Sequence, residues 1–73
     1  MNGDEPTIEI RLEGRPHHIA SGTTLAALVA ALGHGATAVT TAVNEDFVPR
    51  PSREGRVLQA GDAVFLFQPI VGG

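Results

Sequence analysis

Hydrophobic residues change their spacing several times along this chain, and each spacing predicts a structural element. In TIEIRL, residues 7–12, apolar and charged side chains alternate strictly, which is typical of a half-buried strand. Ile19 continues the apolar face after a turn at Glu13 and Gly14, where Gly14 is free to adopt a positive φ. The pattern therefore predicts an N-terminal hairpin. Pro16 has no N–H to donate, which favours an edge position for the second strand.

The next segment, residues 21–35, changes to a helical period. Apolar side chains fall at i, i+3, i+4 and i+7, which is the stripe of an amphipathic helix: Leu25, Leu28, Val29 and Leu32. Thr23 or Thr24 supplies an N-cap oxygen. Gly33 and Gly35 end the helix, one of them in the left-handed conformation.

The second half of the chain reads as short strands separated by turn residues. The predicted elements are a strand at 38–43, a turn at Asn44, a brief strand ended by Pro49 and Pro51, a solvated connection at 52–56, a turn at Gly61 and Asp62, and a strand at 63–68. One helix among such strands must cover one face of a mixed sheet that contains a parallel pair. We predict an α+β, β-grasp-like fold of about five strands, with a flexible arm at 1–6, the domain at 7–68 and a flexible tail at 69–73.

Composition narrows the possible functions. The 73 residues contain no cysteine, which excludes disulfides and cysteine metal sites. No apolar run approaches the ~18 residues of a membrane helix, and the N-terminus lacks a secretory pattern, so we expect a cytoplasmic protein without a membrane partner. The net charge is −3, and lysine, tryptophan and tyrosine are absent, so we do not expect nucleic-acid binding.

Two local patterns resemble ligand sites and fail on context. His17 and His18 are neighbours on a strand and point to opposite faces, so they are poorly placed to bind one metal ion. GHGATA, residues 33–38, has the spacing of a dinucleotide loop, yet it follows a helix and opens a strand instead of the reverse. No arrangement of catalytic side chains stands out, and we do not expect a bound metal.

The last strand has more apolar side chains than one covered sheet face can bury. Residues 64–67 are apolar in succession, so two of the four must point away from the helix. We predict that Val64 and Leu66 face the core and that Phe65 and Phe67 form an exposed patch for a partner. The alternative is that a loop or the N-terminal arm covers them. Arg50 and Arg53 are candidates for contacts with an acidic partner, or are solvated loop arginines.

The chain ends in QPIVGG, which predicts a tail built to enter another protein. Pro69 turns the chain off the sheet, and Ile70 and Val71 can grip a groove as an extended segment. Gly72 and Gly73 have no side chains and can pass through a narrow channel. The reactive group that they deliver is the Gly73 carboxylate, which becomes an electrophile once it is joined to AMP. The alternative is an inert, flexible end.

Several segments together resemble the sulfur carrier protein ThiS family, in the ubiquitin-like β-grasp superfamily. The resemblance covers about residues 7–73 and rests on GTTLAALVAAL, AVNEDFVPR, LQAGDAVFLFQPIVGG and the terminal Gly-Gly. Asn44 followed by Val48, Pro49 and Arg50 is more similar to ThiS than to its relative MoaD. Pro69 is similar to the MoaD type of tail, which keeps that pathway open.

The resemblance implies a carrier and not an enzyme. A ThiF-type adenylating enzyme would use MgATP to adenylate Gly73, and sulfur from cysteine, supplied by a desulfurase, would convert the carboxylate to a thiocarboxylate. A ThiG-type thiazole synthase would take this sulfur for thiamine biosynthesis. The alternatives are the small, MoaD-like subunit of molybdopterin synthase, a ubiquitin-like protein modifier and a plain binding module.

Overall fold

A computed structural model describes residues 6–35 and 37–68 of the chain. The elements in these residues are β1 (Thr7–Leu12), β2 (Arg15–Ala20), α1 (Leu25–Ala31), β3 (Thr40–Val43), β4 (Asp46–Val48), a 3₁₀ helix (Arg50–Gly55) and β5 (Ala63–Phe67). The strands form one mixed sheet in the order β2-β1-β5-β3-β4, with β1 and β5 parallel. The predicted fold class, the parallel pair and the edge position of β2 are therefore confirmed.

Two-residue turns close both hairpins. Glu13 and Gly14 join β1 to β2 with φ values of 55° and 82°, and Asn44 and Glu45 join β3 to β4 with 53° and 73°. Positive φ at both central residues is the type I′ geometry, whose twist matches that of the flanking strands. The turns predicted at Gly14 and Asn44 are confirmed.

Helix α1 has a defined cap at each end. Thr24 is the N-cap, because its Oγ1 accepts a hydrogen bond from Ala27 N at 3.1 Å. At the other end Gly33 has a φ of 85°, and the N–H of His34 donates to the carbonyl of Val29 at 3.2 Å. This six-to-one bond is the Schellman pattern, so Gly33 is the left-handed stop and Gly35 is not.

The core lies between α1 and the sheet. The buried hydrophobic residues are Ile10, Leu25, Leu28, Val29, Val39, Val43, Val48, Leu58 and Val64. They come from the helix, from β1, β3, β4 and β5, and from loops that follow the helices. The predicted helical stripe is confirmed, with Leu32 partly buried at its end.

Asp62 organises the turn that leads into β5. Its carboxylate accepts from Gln59 N at 2.8 Å and from Asn44 Nδ2 at 2.9 Å. The Asn44 side-chain oxygen accepts in turn from Ala63 N at 2.9 Å. Asp62 is buried, so the predicted turn role is confirmed, and the bonds also tie this turn to the β3–β4 hairpin.

The prediction of a solvated connection at residues 52–56 is confirmed for Ser52, Glu54 and Gly55, which are exposed, and is wrong for Arg53. The 3₁₀ helix extends through this segment to Gly55, and Arg53 within it is only 5% exposed. Its Nε donates to Thr41 Oγ1 at 3.0 Å, and its Nη2 donates to the Val39 carbonyl at 2.7 Å. Arg53 is therefore neither a solvated loop residue nor a contact for an acidic partner, because it is committed to the interior.

Candidate functional site

The side chains of β5 alternate between the core and the uncovered face of the sheet. Val64 is fully buried and Leu66 packs against the core, whereas Phe65 is 37% and Phe67 54% exposed. The two rings stack with their centroids 6.4 Å apart. The predicted orientation of all four residues is confirmed. Among the described residues, no loop buries the two phenylalanines.

A third phenylalanine, which was not predicted from the sequence, lies on the same face. Ala42 of β3 is paired with Phe47 on one side and with Phe65 on the other, so all three share one face. Phe47 is 64% exposed. Phe47 precedes the buried Val48, and alternation along a strand would place Phe47 on the opposite, uncovered face. Strand β4 has only three residues, which is too few for this alternation to be recognised in the sequence. We call Phe47, Phe65 and Phe67 the phenylalanine face.

The other half of the uncovered face is charged. Arg11 is paired with Ala63, which places it on the same face as Phe65, and Glu9 is paired with His18 across β1 and β2. The Glu9 carboxylate lies 3.5 Å from His18 Nε2, and both side chains are more than half exposed. A partner that covers the whole face would meet an apolar half on β3–β5 and a polar half on β1–β2.

The point where the chain leaves the sheet lies at one end of this face. Strand β5 ends at Phe67, which is paired with Thr40, and Gln68 is exposed. On the helix side, an open groove of about 420 Å³ is lined by Leu12, Glu13, Leu32, His34, Val39, Leu66 and Gln68. The predicted tail residues Pro69, Ile70, Val71, Gly72 and Gly73, and most of the predicted arm, lie outside the described residues.

The remaining candidates do not converge on a second site. Arg50 is exposed at the start of the 3₁₀ helix. His17 is paired with the buried Ile10 and faces the helix side, whereas His18 faces the other way. Within residues 6–35 and 37–68, no three acidic or histidine side chains are grouped as a metal site would require. The same residues include no helix long and apolar enough to span a membrane.

Comparison with known proteins identifies the family to which the chain belongs. The model of the ThiS family matches residues 8–73, which is nearly the whole chain and includes the tail. The chain belongs to the ThiS family. A search of curated proteins found no match.

Two solved structures share the ThiS-family fold seen here. The crystal structure of the thiamine biosynthesis protein ThiS from Geobacter metallireducens has a TM-score of 0.79 and 25% sequence identity, over 90% of this chain and 100% of that one. An NMR solution structure of a thiamine biosynthesis protein from the same organism has a TM-score of 0.75 and 25% identity, over 90% and 88%. The resemblance stated from the sequence is therefore confirmed, and so is the β-grasp fold.

Proposed function

We propose that this chain is a sulfur carrier whose Gly73 carboxylate is converted to a thiocarboxylate for thiazole formation in thiamine biosynthesis. The observation that carries the proposal is the family match, which extends through the tail to Gly73. The likeness to a thiamine biosynthesis protein of the same fold supports this pathway.

The chemistry takes place on the acyl carbon of Gly73. In the active site of a ThiF-type enzyme, a carboxylate oxygen attacks the α-phosphorus of MgATP, and pyrophosphate leaves. The product is an acyl adenylate, in which AMP is the leaving group. A sulfur nucleophile at the oxidation level of sulfide then attacks the acyl carbon and expels AMP, as in other acyl-transfer reactions with covalent intermediates. The carrier binds no cofactor of its own.

The phenylalanine face is proposed as the docking surface for the activating enzyme. It presents three aromatic rings that are 37%, 54% and 64% exposed, and one of them, Phe67, is the last residue of β5. Exposed apolar patches of this kind mark interaction sites, and buried aromatic anchors dominate the energetics of interfaces. Arg50 is proposed to add a polar contact at the rim.

The tail is proposed to reach the active sites of both enzymes. Pro69, Ile70 and Val71 bind as an extended segment, and Gly72 and Gly73 occupy the narrow part of the channel next to the reacting phosphorus. A ThiG-type thiazole synthase then receives the same tail and takes the sulfur.

Intact-mass spectrometry tests the proposal. The chain is incubated with a ThiF-type enzyme, MgATP and a sulfide source, and we expect a gain of about 16 Da as sulfur replaces oxygen at the activated acyl group. A chain that lacks Gly73 is the control and should fold normally and gain no mass, because an exposed terminus contributes little to stability. An unchanged mass of the parent chain would refute the carrier role.

A second measurement identifies the enzyme that accepts the sulfur. The thiocarboxylate form is offered to a ThiG-type enzyme and to the large subunit of molybdopterin synthase. We expect the sulfur to pass to the first. Transfer only to the second would assign the chain to the molybdopterin pathway, and isopeptide adducts on lysines of other proteins would identify a protein modifier.

A further inference from the structure

The Glu13 side chain continues the hydrogen-bond ladder between β1 and β5 after the backbone of β1 has ended. The parallel ladder runs through Arg11 N to Asp62 O at 2.8 Å and Glu13 N to Val64 O at 2.9 Å. Strand β1 ends at Leu12, and its hairpin turn begins at Glu13. The N–H of Leu66 therefore has no β1 carbonyl in line, and it donates instead to Glu13 Oε2 at 2.7 Å.

Turn chemistry does not explain a glutamate at this position. Glu13 has a φ of 55°, in the left-handed region that glycine, asparagine and aspartate adopt most readily. Glutamate has no comparable preference for this backbone conformation, so the turn itself does not favour it. Its longer side chain does supply reach, and the carboxylate makes a charge-assisted hydrogen bond to a residue 53 positions away in sequence.

The bond lies where β5 gives way to the tail. On the β3 side the last pairing is Thr40 with Phe67, and on the β1 side the last bond is Glu13 with Leu66. Gln68 follows, and then the tail. The strand pairing with β3 and the bond to Glu13 therefore hold the end of β5 from opposite sides.

We propose that Glu13 is a positioning residue for the tail: its carboxylate keeps Leu66 in line with β5, so that the chain leaves the sheet in one direction toward the activating enzyme. This inference rests on the proposed function. Without the carboxylate, the N–H of Leu66 turns to water and the end of β5 frays. The frayed residues must then be ordered again each time the carrier binds.

The expected effect falls on binding and not on the chemical step. Fixing the backbone of one further residue disfavours binding by a factor of about five or more. Once bound, the tail lies in the same channel and its acyl group reacts as before. Glu13→Ala should therefore raise KM for the carrier about fivefold and leave kcat within about twofold.

The chain offers a matched control at the opposite end of the sheet. Glu45 is also a glutamate with a positive φ, 73°, in a two-residue hairpin turn, and it is exposed. Glu45→Ala makes the same change in side chain, charge and backbone preference without touching β5 at the tail end. Glu13→Gln is the rescue variant, because its amide oxygen can still accept from Leu66 N.

Two measurements are made on the parent and the three variants. Amide hydrogen exchange compares Leu66 with Phe65, whose backbone pairs with β3 and not with β1. Pyrophosphate release by a ThiF-type enzyme gives KM and kcat for each carrier. We expect faster exchange at Leu66 and a raised KM in Glu13→Ala alone, and values near those of the parent in Glu13→Gln and Glu45→Ala.

The outcomes separate the two proposals. Equal KM values for Glu13→Ala and Glu45→Ala, with an active parent chain, would overturn the role of Glu13 and leave the carrier function intact. Unchanged exchange at Leu66, or a Glu13→Gln variant as impaired as Glu13→Ala, would overturn it as well. A parent chain that supports no pyrophosphate release would overturn the proposed function, and with it the role of Glu13 in tail activation.

Discussion

Replacing Arg53 by alanine tests the interior network most directly. Arg53 is 5% exposed and donates to Thr41 Oγ1 and to the Val39 carbonyl. Thr41 is fully buried, and its hydroxyl donates in turn to the Val48 carbonyl at 2.9 Å. The guanidinium thus joins the 3₁₀ helix to β3, and Thr41 joins β3 to β4.

The size of the effect follows from these bonds. Hydrogen bonds from a charged donor contribute roughly 1.5–3 kcal/mol each, and a buried carbonyl left without a donor costs about 1–3 kcal/mol. Water entering the vacated space recovers part of that loss. We expect Arg53→Ala to lower the free energy of unfolding by about 3 kcal/mol, out of roughly 4–11 kcal/mol for a domain of this length. The corresponding fall in Tm is roughly 12–24 °C.

Urea denaturation followed by far-UV circular dichroism measures the change, since the chain has no tryptophan or tyrosine for fluorescence. Arg50→Ala is the control, because Arg50 is exposed in the same 3₁₀ helix. Arg53→Lys should lose an intermediate amount, because an ammonium lacks the planar fork that reaches both acceptors. A free energy of unfolding for Arg53→Ala within about 0.5 kcal/mol of that for Arg50→Ala would refute the reasoning.

Two further predictions concern the phenylalanine face and the helix cap. Phe67→Ser and Phe65→Ser should change the free energy of unfolding by less than about 1 kcal/mol, yet weaken binding of the activating enzyme about 30-fold in titration calorimetry, as loss of an aromatic anchor does. Greater loss of folding than of binding would place that ring in the core. Thr24→Ala removes the acceptor for Ala27 N and should lower the free energy of unfolding by about 1 kcal/mol in the same urea assay, and no change would mean that the cap is dispensable.

The local elements of this protein could be predicted because each depends on a short stretch of sequence. Alternation identified β1, and the spacing of Leu25, Leu28 and Val29 identified the buried side of α1. Strand β3 begins at Thr40, two residues later than predicted, because Ala38 N donates to Gly35 O and closes a turn first. Errors of this kind arise at the ends of elements, where periodicity no longer constrains the chain.

The candidate site was predicted only in part, because sequence patterns describe single elements and not which elements become neighbours. Phe65 and Phe67 lie on one strand, so a period of two was enough to place them together. Phe47 lies on the same face near them only because β3 is placed between β4 and β5. No local sequence pattern predicts that strand order. The tail at residues 69–73 was predicted from its composition and position, and its role stays a prediction.

Sequence alone therefore determined the order of α1 and the five strands and the inward faces of β1, α1 and β5, because 3.6-residue and two-residue periods are local properties of the chain. Tertiary structure decided which elements became neighbours. It buried Arg53 beside Thr41, and it brought Glu13 to Leu66 across 53 positions. Such contacts depend on strand pairing between distant segments, which the spacing of hydrophobic residues within each segment does not specify.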